Sequence, residues 1–129
     1  MKRNKKRSSS TRPRMPRIAD EMKRWSAMLD EELKRWPDVD SRPMFGMLGV
    51  YRKTRIFAAL PATRAIGTPN SIIFKIDPMP PELLSRLTAD PRAESDRGPG
   101  RRWRAFEIHS EVDLRDALWW LNQAYERAR

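Results

Sequence analysis

Cysteine is absent from the chain and histidine occurs once, at His109. This excludes a disulfide frame, a thiolate nucleophile, an iron–sulfur cluster and a Cys-ligated zinc. One imidazole cannot make a multi-histidine metal centre, although carboxylates alone would still serve Mg²⁺ or Ca²⁺. No apolar run approaches the ~20 residues of a membrane span, and the N-terminus has charge without the apolar stretch that secretion needs. Acid is missing altogether from residues 1–14. What the chain has in quantity is base: 27 Lys plus Arg against 17 Asp plus Glu in 129 residues, a net charge of +10. The length suits one domain, expected in the cytoplasm with no membrane partner.

The charge is unevenly spread. Lys2, Arg3, Lys5, Lys6, Arg7, Arg12 and Arg14 put +7 into the first fourteen residues, leaving +3 for the remainder. That segment has three consecutive serines and nothing apolar after Met1, so it cannot offset chain entropy by burial. The expected organisation is a disordered basic tail over residues 1–16 and a single α+β domain over 17–129. Such an arm suits phosphates of a nucleic acid or an anionic membrane surface, or it is a solvated tail without a partner. A translation start at Met15 is a further alternative.

Periodicity predicts a helix over Arg17–Trp36, where Ile18, Met22, Trp25, Leu29, Leu33 and Trp36 draw one stripe and Pro37 ends the run. MFGMLGVYR and RIFAALP read as a hairpin around Arg52-Lys53-Thr54-Arg55. Gly46 and Gly49 mark a bulge or a close backbone approach in its first strand. A loop over 62–70 leads to a strand, Ser71–Asp77, with Ile72, Phe74 and Ile76 on one side and Ile73 and Lys75 on the other. A short helix, Pro81–Leu87, turns Leu83, Leu84 and Leu87 inward. Residues 88–101 read as a mobile loop, Trp103–Ile108 as a strand, and Ser110 as the cap of a last helix. In that helix Leu114, Leu118, Leu121, Tyr125 and Ala128 form one stripe, widened by Ala117 and Ala124. An antiparallel twisted sheet with two main helices on one face follows.

Most chemical candidates have a plainer alternative. His109, at a strand end, is a weak general base without a nucleophile elbow. Gly98-Pro99-Gly100 precedes a strand, where a dinucleotide fingerprint would need a strand-to-helix turn. Asp38 with Asp40, or Asp90 with Glu94 and Asp96, lack EF-hand spacing and read as solvated loops. The seven Met read as core filler, and Trp25 and Trp36 as core. Of the adjacent pair Trp119 and Trp120, the first is expected to be partly exposed, as a surface aromatic or an interface anchor.

Two basic constellations remain. Arg52, Lys53 and Arg55 crown the hairpin turn, while Arg101, Arg102 and Arg104 flank Trp103. Bases with an interleaved aromatic suit phosphates plus a stacked base or sugar. The alternative is that basic turns keep sheet edges soluble.

The run Met44-Phe45-Gly46, Gly49-Val50-Tyr51, Ile56-Phe57-Ala58-Ala59-Leu60, Ile73-Phe74-Lys75-Ile76-Asp77, Trp103 and Ala124-Tyr125 resembles MmcQ/YjbR-like proteins and the related N-terminal domain of TfoX-type competence regulators. The resemblance spans roughly residues 18–128. It departs at Arg52-Lys53-Thr54, at Ala124 where Ser is common, and in a longer loop over 61–70. It implies a frataxin-like α+β sandwich and a domain for which DNA binding has been proposed. Lys75 and Trp103 match the family's strand Lys and Trp, and Tyr125 its closing Tyr. The expected function is therefore a small non-enzymatic domain without cofactor or metal, binding DNA weakly and mainly by charge. The site would comprise Arg52, Lys53, Arg55, Lys75, Arg101, Arg102, Trp103 and Arg104. The alternative is a protein-interaction or homodimerisation module with no nucleic-acid role.

Overall fold

The computed structural model describes residues 15–97 and 102–129. In order they form α1 (Asp20–Leu33), β1 (Val39–Met44), β2 (Met47–Arg52), β3 (Arg55–Pro61), β4 (Ser71–Lys75), α2 (Pro81–Ala89), β5 (Ala93–Arg97), β6 (Trp103–Glu107) and α3 (Glu111–Arg127). The strands make one antiparallel sheet in the order β1-β2-β3-β4-β6-β5. The fold is α+β, with the helices against one sheet face. Residues 1–14 of the predicted basic tail, Gly98-Pro99-Gly100 and Arg101 lie outside the described residues.

The main core fills the helical face. Met22, Trp25, Leu29 and Leu33 of α1 and Ala117, Trp120, Leu121, Ala124 and Tyr125 of α3 meet Val50, Phe57, Leu60, Ile72, Phe74 and Phe106 of the sheet. Phe74 and Trp120 stack at 5.9 Å. Strand alternation holds on β4, where Ile72 and Phe74 join this core and Ile73 belongs to a second cluster on the opposite face. That cluster unites Met47, Ala59, Ile73 and Ala105, with Met15, Met44, Ile66 and Trp103 packed onto it. A register shift between Val50 and Tyr51 lets Phe57 and Ala58 both face the helices.

Several expectations change. Helix α1 is shorter than Arg17–Trp36, because the chain before it is bonded to the loop after β3. Ile18 N–H donates to the Thr63 carbonyl (3.2 Å), and Ala65 N–H to that of Pro16 (3.1 Å). Arg64 Nη1 donates to the Met15 carbonyl at 3.2 Å, so Met15 and Pro16, assigned above to the tail, are held to the body. Ile18 and Trp36 still pack on the core from outside the helix. Leu84 is 40% exposed, because the short α2 directs only Leu83 and Leu87 inward. Two strands were missed, β1 and β5, the latter inside the stretch read as a mobile loop. Both are edge strands with polar sequences (VDSRPM and AESDR), so they carry no clear apolar alternation.

The β1–β2 connection is a two-residue turn with left-handed backbone at Phe45 (φ 51) and Gly46 (φ 79). A Cβ on Gly46 would lie 2.8 Å from Arg64 Cγ, and the Gly46 carbonyl accepts N–H bonds from Ala62, Thr63 and Arg64. At Gly49 a Cβ would stand 3.3 Å from the Tyr51 ring, so what approaches there is a side chain and not the second stretch of backbone expected. Ser110 caps α3 as predicted, its hydroxyl accepting from Asp113 N–H at 3.1 Å.

Candidate functional site

Antiparallel pairing decides which basic residues become neighbours. The β2–β3 turn pairs Arg52 with Arg55, and β4 meets β6 with Lys75 opposite Trp103. With β3 and β4 also antiparallel, the turn at Lys53-Thr54, the end of β4 and the start of β6 all lie at one end of the sheet. The C-terminus of α3 arrives at the same place. A shallow cleft of about 40 Å³ there is lined by Arg55, Ile56, Lys75, Asp77, Arg127 and Ala128. It has room for water or a single ion but not for a metabolite.

The side chains differ in how committed they are. Lys53 and Arg55 are exposed. Arg102 Nε stands 3.8 Å from Asp77 Oδ2 with both side chains about half exposed or more, a loose pair of small worth. Lys75 Nζ lies 5.8 Å from the centroid of the half-buried Trp103 ring.

Two of the expected site residues are turned to other tasks. Arg52 lies on the helical side, where Nη1 donates to the Tyr125 carbonyl at 2.9 Å and the guanidinium covers the Tyr125 ring at 4.2 Å. It serves the last turn of α3, where a cation offsets the helix dipole. Arg104 pairs across to Phe74 and shares its face, opposite to Trp103. There it lines a depression with Leu84, Leu87, Thr88 and Ala93. Strand alternation separates Arg104 from Trp103. Arg127, in contrast, joins the basic end although it belongs to neither sequence cluster.

Tyr125 is structural: its hydroxyl donates to the Pro37 carbonyl (2.9 Å), and its ring meets Trp36 at 5.0 Å and Phe57 at 5.8 Å. His109 pairs with Glu107 (Nε2 to Oε1, 2.7 Å) on an exposed surface. Trp119 is 36% exposed, with Arg86 over its ring at 4.1 Å and the Trp120 ring perpendicular to it at 4.9 Å.

At the opposite end of α3 an acidic cluster has formed that sequence reading missed. Arg92 reaches Asp90 (2.8 Å), Asp113 (2.8 Å) and Asp116 (3.0 Å), and its guanidinium lies 4.7 Å from the Phe106 ring centroid. The side-chain bond from Arg92 holds the Asp90 carboxyl below its usual range. Burial alone would raise Asp113, but the bonds from Arg92 and from His109 N–H outweigh it and lower the carboxyl. Asp90, read earlier as part of a solvated loop, is thus an anchor between the loop before β5 and α3.

No family model, no curated protein and no solved structure matches this chain.

Proposed function

We propose that this chain is a non-enzymatic, cytoplasmic domain that binds nucleic acid by charge at the basic end of its sheet. One observation supports the reading above the rest: cations from four separate segments, Lys53 and Arg55, Lys75, Arg102, and Arg127, gather around one shallow cleft and its margin. Asp77 is the carboxylate in the cleft lining, beside Arg55, Lys75 and Arg127, so positive charge is in excess there. A shallow, exposed, positive surface suits an extended polyanion better than a small molecule. The likeness to MmcQ/YjbR proteins, with its frataxin-like packing, belongs to the same proposal.

Fluorescence anisotropy on labelled oligonucleotides from 50 to 200 mM salt tests it. Affinity should fall steeply with salt. Replacing the three exposed bases, Lys53, Arg55 and Arg102, by Ala should reduce the log–log slope by about two to three. A flat salt response in the wild type, or an unchanged slope in the triple variant, would remove the reading. Repeating the series without residues 2–14 separates the share of that segment.

A second reading has its own support. Between α1 and α3 an apolar groove of about 440 Å³ is lined by Met28, Leu29, Leu114 and Leu118, with Glu32, Glu111 and Arg115 also contributing. Met28 is 56% exposed. This groove, more than Trp119 beneath Arg86, suits a protein-interaction or dimerisation module. Concentration-dependent sedimentation that disappears in Met28→Glu would favour it.

A further inference from the structure

Resting on the nucleic-acid reading, we propose that the polymer bound is single-stranded, with an unpaired base stacked on Trp103 and a second on Tyr51. The argument begins with parity. Lys75 and Trp103 are directly paired and lie on the sheet face that carries no helix. The Trp103 ring rests on the cluster of Ile73 and Ala105, half-buried, with the Lys75 ammonium beside it.

Tyr51 shares that face. Its ring lies within 3.3 Å of where a Gly49 Cβ would be, next to Ile56 and Met44 side chains, and Gly49 pairs with Ala59 of the same cluster. The Arg42 guanidinium stands 5.0 Å from its ring centroid and pairs with Asp40 (Nε to Oδ2, 3.4 Å), the residue opposite Tyr51 on β1. Tyr51 pairs with Ile56 on β3, so it sits at the level of the basic end. From β2 to β6 are three strand spacings, or roughly 14 Å. Two aromatic rings, one beside Lys75 and the other beside the Asp40–Arg42 pair, therefore lie on one level of one face, a distance that a short length of unpaired strand can cover.

The other tryptophans offer no equivalent. Trp25 and Trp120 are buried, Trp36 packs on the core, and Trp119 stands on α3, on the other side of the sheet from Lys75. A half-buried ring on a sheet surface does not protrude, so it cannot enter a duplex groove to reach stacked bases. Splayed bases can come to it, while their phosphates meet Lys53, Arg55, Lys75 and Arg102. This arrangement selects strand state without selecting sequence, since every base has a π-face.

The test compares a labelled twelve-nucleotide oligothymidylate with a duplex of equal length at 50 mM salt. The single strand should bind at least about tenfold more tightly. Trp103→Leu keeps an apolar side chain on the cluster but removes the ring. It should cost about fivefold or more on the single strand and leave duplex binding unchanged. Trp103→Phe should restore most of the loss, and matching circular dichroism melts confirm that each variant is folded. Equal binding of duplex and single strand, or a Trp103→Leu protein indistinguishable from wild type, overturns the strand preference alone. Absence of binding to both oligonucleotides overturns it together with the reading beneath it.

Discussion

The two ends of α3 use the same residue types to opposite effect. At its N-terminal end one arginine, Arg92, is surrounded by Asp90, Asp113 and Asp116. At its C-terminal end Arg127 joins Arg55 and Lys75 around a cleft to which Asp77 contributes the carboxylate. Both arrangements agree with the helix dipole, which favours acids in the first turn and bases in the last. The difference lies in compensation. Arg92 exchanges water for three carboxylates and works as a clamp, whereas Lys53 and Arg55 keep their water and remain available. Counting bases along a sequence does not separate these cases. What separates them is how many carboxylates the fold returns to each guanidinium.

Breaking the clamp should have the largest consequence. Arg92→Met leaves three carboxylates without their shared cation. The Arg92 side chain is 28% exposed, so the cost should fall below the range for fully buried pairs, at about 2 kcal/mol. A domain of this size should then melt roughly 7 °C lower. The pH dependence follows from the direction of the shifts. Asp90 and Asp113 have folded values below their unfolded ones, so the unfolded chain binds more protons in that window and stability rises with pH. Their contribution is present above about pH 4 and is lost as pH falls through the folded values. Denaturant titrations should therefore show the gap between wild type and Arg92→Met closing below about pH 4. A gap of constant width across that range would show that Arg92 acts through packing on Phe106 alone.

The same contrast explains what could be read from the chain. Elements with a buried face were legible: the stripe of α1, the β2–β3 hairpin, the alternation of Ile72, Ile73, Phe74 and Lys75, and the Ser110 cap. The edge strands β1 and β5 were not, because a strand exposed along one side needs no apolar alternation. Among the site residues, the two basic groups were visible as clusters in sequence, but sidedness divides them. The alternation Trp103, Arg104, Ala105, Phe106 already contained the signal that Arg104 would share a face with Phe106 and not with Trp103. Arg127 had no local signal. Its place follows from α3 running back across the sheet to the hairpin end. The Arg92 clamp joins positions more than twenty residues apart, which no short-range spacing rule can detect.

Arg52 sharpens the comparison at a smaller scale. It stands in the sequence beside Lys53, yet its bond to the Tyr125 carbonyl makes it a partner of α3. Arg52→Met should cost about 1 kcal/mol in thermal or denaturant unfolding, for one charge-assisted bond and the ring contact. Its effect on oligonucleotide affinity should be less than that of removing Arg55. An Arg52 variant of full stability and weakened binding would return this residue to the site.

The smallest effect is expected at Asp77, and it probes the basic end from the acidic side. Its carboxylate stands beside Arg102 and lines the cleft with Arg55, Lys75 and Arg127. Because Arg102 and Asp77 are both well exposed, their pairing adds little to the fold, and Asp77→Asn should leave the melting temperature nearly unchanged. For a bound polyanion the same substitution removes a repulsion and frees Arg102. Affinity at 50 mM salt should rise about two- to threefold, and the gain should shrink as salt screens the remaining charges. Arg92 offers the control, since its carboxylates lie at the far end of α3: Asp116→Asn should lower stability slightly and leave oligonucleotide binding where it was. If Asp116→Asn raised affinity as much as Asp77→Asn, net charge would govern binding, and the convergence of cations at the hairpin end would have no special part in it.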